Sequence, residues 1–379
     1  MKFIVSSSVL LNALQSVSKV IATKNTLPIL DNFLFSLEGE KLTITASDIE
    51  TRLVTSIDVV NTEGSGLFAI DAKRLLDPMK ELPEQPLKFD ISNINDESMV
   101  VNVDYDNGKF NLPCDAGDTY PQQKPLSEDA TSLSLESQIL LGGISRTLFA
   151  AAEDDLRPQM NGVHFDIKPE SLTFVASNGH KLVCLRNDSI KSENESSFIL
   201  PKKPANLLKG LLEKKNTPVT LVFDANNAYV KTSAFEMICR LNEGRFPNYN
   251  AVIPKDNPNT ATIDRNSFYT ALKRVSVFSN AASGLVKIQL SENEMFLFAQ
   301  DNEFNTSGDE KITCQYSAAP LSIGFKAPFL IEILSNISAE NVVLQLADPT
   351  RAGVIVPLEN EENEDLVMLL MPMMLNDQS

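Results

Sequence analysis

Enzymatic chemistry starts most often from a histidine, a cysteine, a carboxylate pair or a bound metal, and this chain of 379 residues is poor in the first two. It holds two histidines, His164 and His180, and four cysteines, Cys114, Cys184, Cys239 and Cys314. Neither histidine stands in a nucleophile elbow, in a metal-binding HExxH or beside a phosphate-cradling glycine loop. A lone histidine such as His180, next to Gly179, serves structure or a binding surface more often than base chemistry. The cysteines lie far apart, with neither zinc spacing nor the density of a disulfide scaffold, the usage of a reducing cytoplasm. The expectation is no catalytic residue, no metal and no cofactor. An unrecognised enzyme stays open as a rival.

What remains is charge. The chain carries 33 Lys and Arg against 50 Asp and Glu, a net −17. Phosphate neutralisation dominates DNA affinity, so that total by itself argues against a nucleic-acid partner. Its distribution argues the other way. Six segments with helical apolar spacing, 8–21, 72–82, 137–151, 202–215, 265–279 and 327–337, hold four acids, Asp77, Glu81, Glu213 and Glu332. They also hold thirteen bases: Lys19, Lys73, Arg74, Lys80, Arg146, Lys202, Lys203, Lys209, Lys214, Lys215, Arg265, Lys273 and Arg274. Lysine is a good helix former on any exposed face, which accounts for single residues. The asymmetry over the whole set is the footprint of a basic face on an acidic body, suited to DNA backbone. No zinc finger, basic zipper or RNA-binding signature accompanies it, so binding is expected to be independent of base sequence.

The elements that position these charges recur. LTITASD at 42 to 48, LTFVASN at 172 to 178 and MFLFAQD at 295 to 301 are β-rich runs closing on Asp or Asn, about 130 and 123 residues apart. That period is a small domain, not a solenoid repeat. An amphipathic helix precedes each landmark: Leu10, Leu14, Val17 and Ile21; Leu141, Ile144 and Leu148; Phe268, Leu272 and Val275. A strand-then-helix segment follows each, from Phe68, Phe198 and Ser322.

Three similar α+β domains are expected, each with two helices packed on antiparallel sheet of about eight short strands. The Pro-containing stretches PQQKPLSED and IPKDNPN set boundaries at 1–125, 126–253 and 254–379. Pro78 and the Gly142-Gly143 pair predict irregular helices. The N-terminus lacks signal-peptide features, and LVMLLMPMML at 366 to 375 is about half the roughly 20 residues a bilayer requires. A cytoplasmic protein without a membrane partner is expected.

Several stretches resemble the bacterial DNA sliding clamp, the beta subunit of DNA polymerase III. They are MKF at the start, TLPIL at 26 to 30, NGVHF at 161 to 165, ASNGHKL at 176 to 182, GRFPNY at 244 to 249 and LMPMML at 370 to 375. The likeness spans the chain. It implies a non-catalytic processivity factor: a head-to-tail homodimer, half of a six-domain ring, encircling duplex DNA with its helices inward. Size agrees with that number, since six bodies of about 35 Å in a ring leave a hole of about 35 Å, enough for a duplex, and three leave only about 5 Å.

The resemblance implies DNA contacts at Lys24, Lys73, Arg146, Arg157, Lys203 and Lys273, with Asn25 beside the first. It implies a dimer seam at Phe110, Val277 and Phe278. It implies a peptide groove between the second and third domains, formed by Arg157, Met160, Ser177, Gly179, His180, Lys181, Leu182, Pro247, Val252, Thr350, Leu370, Met371, Pro372, Met373 and Leu375. The partners implied are the polymerase catalytic subunit, the clamp loader, and repair and translesion polymerases. Methionine suits such a groove because it is flexible and polarizable. Without the resemblance, Met371, Met373 and Met374 read as core filling by a terminal strand.

Three departures from the family pattern bear on client preference: Met374 where Arg is frequent, Ala251 in place of a basic residue, and the extra tail NDQS. The acidic run ENEENED at 359 to 365 reads as a solvated loop. A protein scaffold that never touches DNA is the other rival function.

Overall fold

The structure, a computed structural model, describes residues 1–95, 98–122, 125–153, 156–212 and 216–375. The tail NDQS and Glu213, Lys214 and Lys215 of the segment 202–215, predicted helical from the sequence, lie outside the described residues.

Among the described residues six helices form where the apolar spacing predicts them: α1 (Ser7–Ser18), α2 (Ala72–Glu81), α3 (Ser137–Thr147), α4 (Lys202–Leu211), α5 (Arg265–Ser276) and α6 (Ala327–Ser335). Three start on a side-chain cap: Ser6 accepts from Val9 N at 3.3 Å, Asp71 from Arg74 N at 2.8 Å and Asp264 from Ser267 N at 2.7 Å. Such a cap satisfies a backbone donor that the first turn leaves without a partner, worth about 1 kcal/mol. α1 buries Leu10, Ala13, Leu14 and Val17, and α5 buries Phe268, Ala271, Leu272 and Val275. The predicted Ile21 and Leu141 are instead half-buried, and Leu140 is the buried neighbour on α3.

The expected irregularities are milder than the glycines and proline imply. α3 runs unbroken through Gly142 and Gly143 before a 3-10 turn at Leu148–Ala150. A Cβ on Gly143 would fall 2.4 Å from the Phe174 ring, so the glycine lets the helix press onto the sheet. Pro78 stays inside α2, which ends one turn later.

The first third supplies β1 (Lys2–Ser6), β2 (Asn32–Glu38), β3 (Lys41–Ser47), β4 (Thr51–Asp58), β5 (Val60–Glu63), β6 (Gly66–Asp71), β7 (Pro86–Asn95), β8 (Ser98–Tyr105) and β9 (Gly108–Ala116). The middle supplies β10 (Thr131–Glu136), β11 (Gly162–Lys168), β12 (Ser171–Ser177), β13 (Lys181–Asn187), β14 (Ser196–Pro201), β15 (Pro218–Phe223), β16 (Asn227–Lys231) and β17 (Glu236–Arg240). The last third supplies β18 (Asn259–Asp264), β19 (Leu285–Ser291), β20 (Glu294–Asp301), β21 (Thr306–Thr313), β22 (Leu321–Lys326), β23 (Asn341–Leu346), β24 (Gly353–Pro357) and β25 (Glu364–Leu370). The repeat is visible in the cores. Phe35 stacks on Phe68 at 5.0 Å, and their counterparts Phe165 and Phe198 stack at 4.5 Å.

The chain divides into two compact units at points the composition does not mark. One comprises Met1–Gln138 with Asn206–Leu241, the other Ile139–Ala205 with Asn242–Ser379. In the first, a 13-stranded sheet runs β10-β15-β16-β17-β4-β3-β2-β6-β9-β8-β7-β1-β5. In the second, an 8-stranded sheet runs β14-β11-β12-β13-β25-β24-β23-β18, with a 4-stranded sheet β21-β20-β19-β22 beside it in the same unit. The physical reason is edge pairing: β4 pairs with β17, and β13 with β25, each joining strands from consecutive repeats. All three sheets are antiparallel, and no helix of the described residues is long and apolar enough to cross a membrane.

Candidate functional site

The expected groove residues all fall in the second unit, several of them on the β12 to β13 turn and the β13–β25 pairing. Asn178 builds the turn, its Oδ1 accepting from His180 N at 2.9 Å and Lys181 N at 3.0 Å. Ser177 Oγ donates to Lys181 O at 2.9 Å and accepts from Gly179 N at 3.1 Å. Gly179 takes φ +88, which a side chain would strain, and a Cβ there would lie 3.6 Å from Arg157 Nη1. Arg157 thus crosses the turn. The sheet continues one step past β25, where Met371 N donates to His180 O at 2.8 Å.

Under this rim is an apolar floor of Val175, Leu182, Ile199, Phe246, Tyr249, Ala352 and Leu369, with Cys184 and Ile253 against it. The linker is tied down at both ends. Asn242 Nδ2 donates to Pro158 O at 2.9 Å and Asn161 O at 2.8 Å, and the Tyr249 hydroxyl donates to Asp166 Oδ2 at 2.6 Å. His164 stacks on Phe246 at 4.7 Å, and burial holds its pKa below the ordinary 6.5 against the pull of Asp166. It is a packing residue.

Among the expected groove residues, Arg157, Gly179, His180, Pro247, Val252 and Met371 are exposed, and Pro372, Met373 and Leu375 half-buried. Met371 is 44% exposed and Met374 77%, so these two do not fill a core. Met160, Ser177, Leu182 and Leu370 are buried. Lys181 is only 4% exposed: its ammonium pairs with Glu332 and lies over the Phe149 and Phe329 rings at 5.2 and 4.8 Å. It braces the turn and does not present charge to a ligand. Thr350 is exposed in a turn built on Asp348. Met373 N donates to Gly324 O at 2.8 Å, laying the last residues along β22. Leu375 there lines a cleft of about 540 Å³ with Leu285 and Phe298.

Phe149, Phe246, Tyr249, Phe329 and Glu332 were not singled out from the sequence. Phe246 and Tyr249 stand inside GRFPNY, and a buried lysine's need for a carboxylate was the only signal toward Glu332. Leu156, next to Arg157, is 89% exposed and was missed as well.

The basic residues separate into two groups. Lys24, in the loop before the 3-10 turn Pro28–Asp31, is exposed, as are Lys73, Lys203, Lys273 and Arg157. Asn25 instead turns inward, bonded to Ala22 O and Asp31 Oδ1. Arg146 corrects an expectation, since it is 17% exposed and donates to Glu364 Oε1 at 2.7 Å, with Glu361 ion-paired at 3.6 Å. The acidic run at 359 to 365 is therefore in part its counter-ion and more than a solvated loop. Arg265 donates to Ala339 O and Leu334 O, and Arg274 makes two bonds to Glu310 at 2.9 and 2.5 Å. Helix position alone placed all three among the thirteen bases of the basic face, but their fork geometry suits internal partners as well.

Two strands with unpaired stretches among the described residues carry or meet residues of the expected seam. β9 pairs with β8 along its length but meets β6 only at Asp115 and Ala116, and it carries the half-buried Phe110. β21 is the outer strand of its sheet. Phe278 covers Gly308 on it, and Val277 is 78% exposed. Among the described residues no group of three or more His, Cys, Asp or Glu is placed to hold a metal. Burial raises the thiols, Cys114 to about 11 and Cys184 and Cys239 to about 12, the wrong direction for a nucleophile.

Three domain models match in order: the DNA polymerase III beta subunit N-terminal domain over residues 1–124, its central domain over 134–248 and its C-terminal domain over 250–374. The chain is 28% identical to the beta sliding clamp of Pseudomonas putida, covering 99% of this chain and 100% of that protein. It is 27% identical to the beta sliding clamp of Escherichia coli K12 over the same shares. A crystal structure of a DnaN sliding clamp from Pseudomonas aeruginosa bound to griselimycin superimposes with TM-score 0.93 at 27% identity, over 99% of this chain and 100% of that one. With three α+β domains in the family's order and relatives matched from end to end, this chain belongs to the DNA polymerase III beta subunit family, the bacterial sliding clamps.

Proposed function

We propose that two copies of this chain join head to tail into a ring that encircles duplex DNA and slides along it without reading sequence. The ring serves replication as an accessory subunit, tethering the replicative polymerase and, in turn, the clamp loader and repair or translesion polymerases. The observation that carries this reading is the order of three family domains in one chain, which we bound at 1–125, 126–253 and 254–379. The cytoplasm, where the DNA is, is the compartment of such a protein.

The unpaired stretches of β9 and β21 support the ring. Pairing one with the other across two copies satisfies both rows of backbone groups and buries Phe110, Val277 and Phe278. Lys24, Lys73, Arg157, Lys203 and Lys273 are the proposed phosphate contacts, and Arg146 leaves that set because its charge is already compensated. Few exchangeable phosphate contacts leave the ring free to slide. The β13–β25 cleft is the proposed client groove, with Met371 and Val252 exposed above the Leu182 floor. Its apolar floor and flexible methionine rim suit short peptides with varied apolar anchors.

The test is topological. After loading onto nicked circular DNA by a clamp loader, the protein is expected to stay on the circle and to be lost when the circle is cut. Equal retention on both forms sinks the ring, as does a solution mass of one chain under loading conditions.

A further inference from the structure

The β13–β25 junction has a twin in the first unit. Asp48 Oδ1 accepts from Glu50 N at 2.8 Å and Thr51 N at 2.6 Å, as Asn178 does from His180 and Lys181. Ser47 Oγ donates to Thr51 O at 3.0 Å, matching Ser177 and Lys181. Arg240 N donates to Glu50 O at 2.9 Å, matching Met371 and His180. Thr51 pairs with Cys239 and Arg52 with Ile238, as Lys181 pairs with Leu370 and Leu182 with Leu369. The linker repeats as well: Tyr120-Pro121 stands where Phe246-Pro247 does. Between these parts lies a cleft of about 320 Å³, within the size range of ligand sites.

We propose that this β4–β17 cleft is a second peptide-docking site, selective for a linear segment that carries an apolar residue next to a carboxylate. The inference rests on reading the β13–β25 cleft as a peptide groove. The backbone is shared and the chemistry is not. Arg52 takes the place of the floor residue Leu182, Ile49 that of Gly179 and Leu27 that of Arg157. Arg52 is half-buried, donates to Pro121 O at 3.3 Å and lies 5.6 Å over the Tyr120 ring, and no described carboxylate pairs with it. A desolvated guanidinium without an anion calls for one, and a fork of donors binds a single carboxylate best. Burial lowers the Arg52 pKa, consistent with that unmet demand. Ile49 and Leu27 are exposed at the cleft mouth, a seat for the apolar neighbour. Asp48 and Glu50 line the same mouth and disfavour a polyanion such as DNA.

The test uses the full-length protein and two fluorescein-labelled octapeptides, one with a Leu-Leu-Asp core and its Leu-Leu-Asn twin, read by anisotropy. The Asp peptide is expected to bind at least tenfold more weakly to Arg52→Gln, to recover partly with Arg52→Lys, and to be unchanged by Met371→Glu. The Asn peptide is expected to respond to Met371→Glu and not to Arg52→Gln. Loss of Asp-peptide binding with Met371→Glu alone, no measurable binding, or displacement of the peptide by duplex DNA overturns the proposal. An Asn peptide indifferent to Met371→Glu overturns the groove reading of the other cleft and leaves the Arg52 result standing by itself.

Discussion

The two junctions, β4–β17 and β13–β25, share a turn, a register and a linker, yet one places an arginine where the other has a leucine. Duplication copies backbone hydrogen bonds because every strand and turn must satisfy its own donors and acceptors. Side chains at the junction carry no such obligation and drift toward different partners. The same scaffold therefore yields one junction braced by the buried Lys181 ammonium on Glu332, and a second whose cleft is lined by an Arg52 guanidinium that no described carboxylate meets.

The sharpest way to break this comparison is to exchange the floor residues. Leu182→Arg puts a charge into the cluster of Val175, Phe246 and Tyr249 and is expected to cost about 4 kcal/mol. A change in denaturant midpoint equivalent to under about 1 kcal/mol makes the floor as permissive as its twin. Next is Glu332→Ala, which leaves the Lys181 ammonium buried with aromatic neighbours only. The expected cost is about 2 kcal/mol, below a fully buried pair because Glu332 is half exposed. Arg52→Leu, the reciprocal exchange, is expected to stabilise by about 1 kcal/mol, since it removes a desolvated cation that no described carboxylate meets. Destabilisation there points to a counter-ion for Arg52 in the free protein.

The smallest effect separates the junctions by pH. His164 occupies the position that Leu34 holds in the first repeat, and its folded pKa lies below 6.5. The folded state resists its protonation, so its contribution is full above about pH 6.5 and falls as pH drops below that value. His164→Phe is expected to flatten the stability profile below pH 6.5 by about 0.5 kcal/mol per pH unit. An unchanged slope assigns that pH dependence to the carboxylates.

Much of the fold was legible because it depends on local pattern. The helices at 7–18, 72–81 and 265–276 follow from apolar spacing and a Ser or Asp cap. The landmarks ending in Asp48, Asn178 and Asp301 marked three repeats. Candidate site residues fared unevenly. Met371 and Val252 are exposed beside the expected cleft, but Lys181 turns inward and Arg146 binds Glu361 and Glu364. A run of carboxylates 215 residues downstream gives no sequence sign of which arginine it meets. Gly143 read as a helix breaker because its value lies in the Phe174 ring pressed against it.

The amino-acid order by itself determined the secondary elements, the threefold repetition and the family, since these rest on periodicity, capping and turn chemistry within a few residues. Only the tertiary structure decided which charges face solvent, and that two sheets run from one repeat into the next through β4–β17 and β13–β25. The reason is that edge pairing and ion pairing join groups far apart in the chain, where distance in space and the cost of desolvation choose the partner.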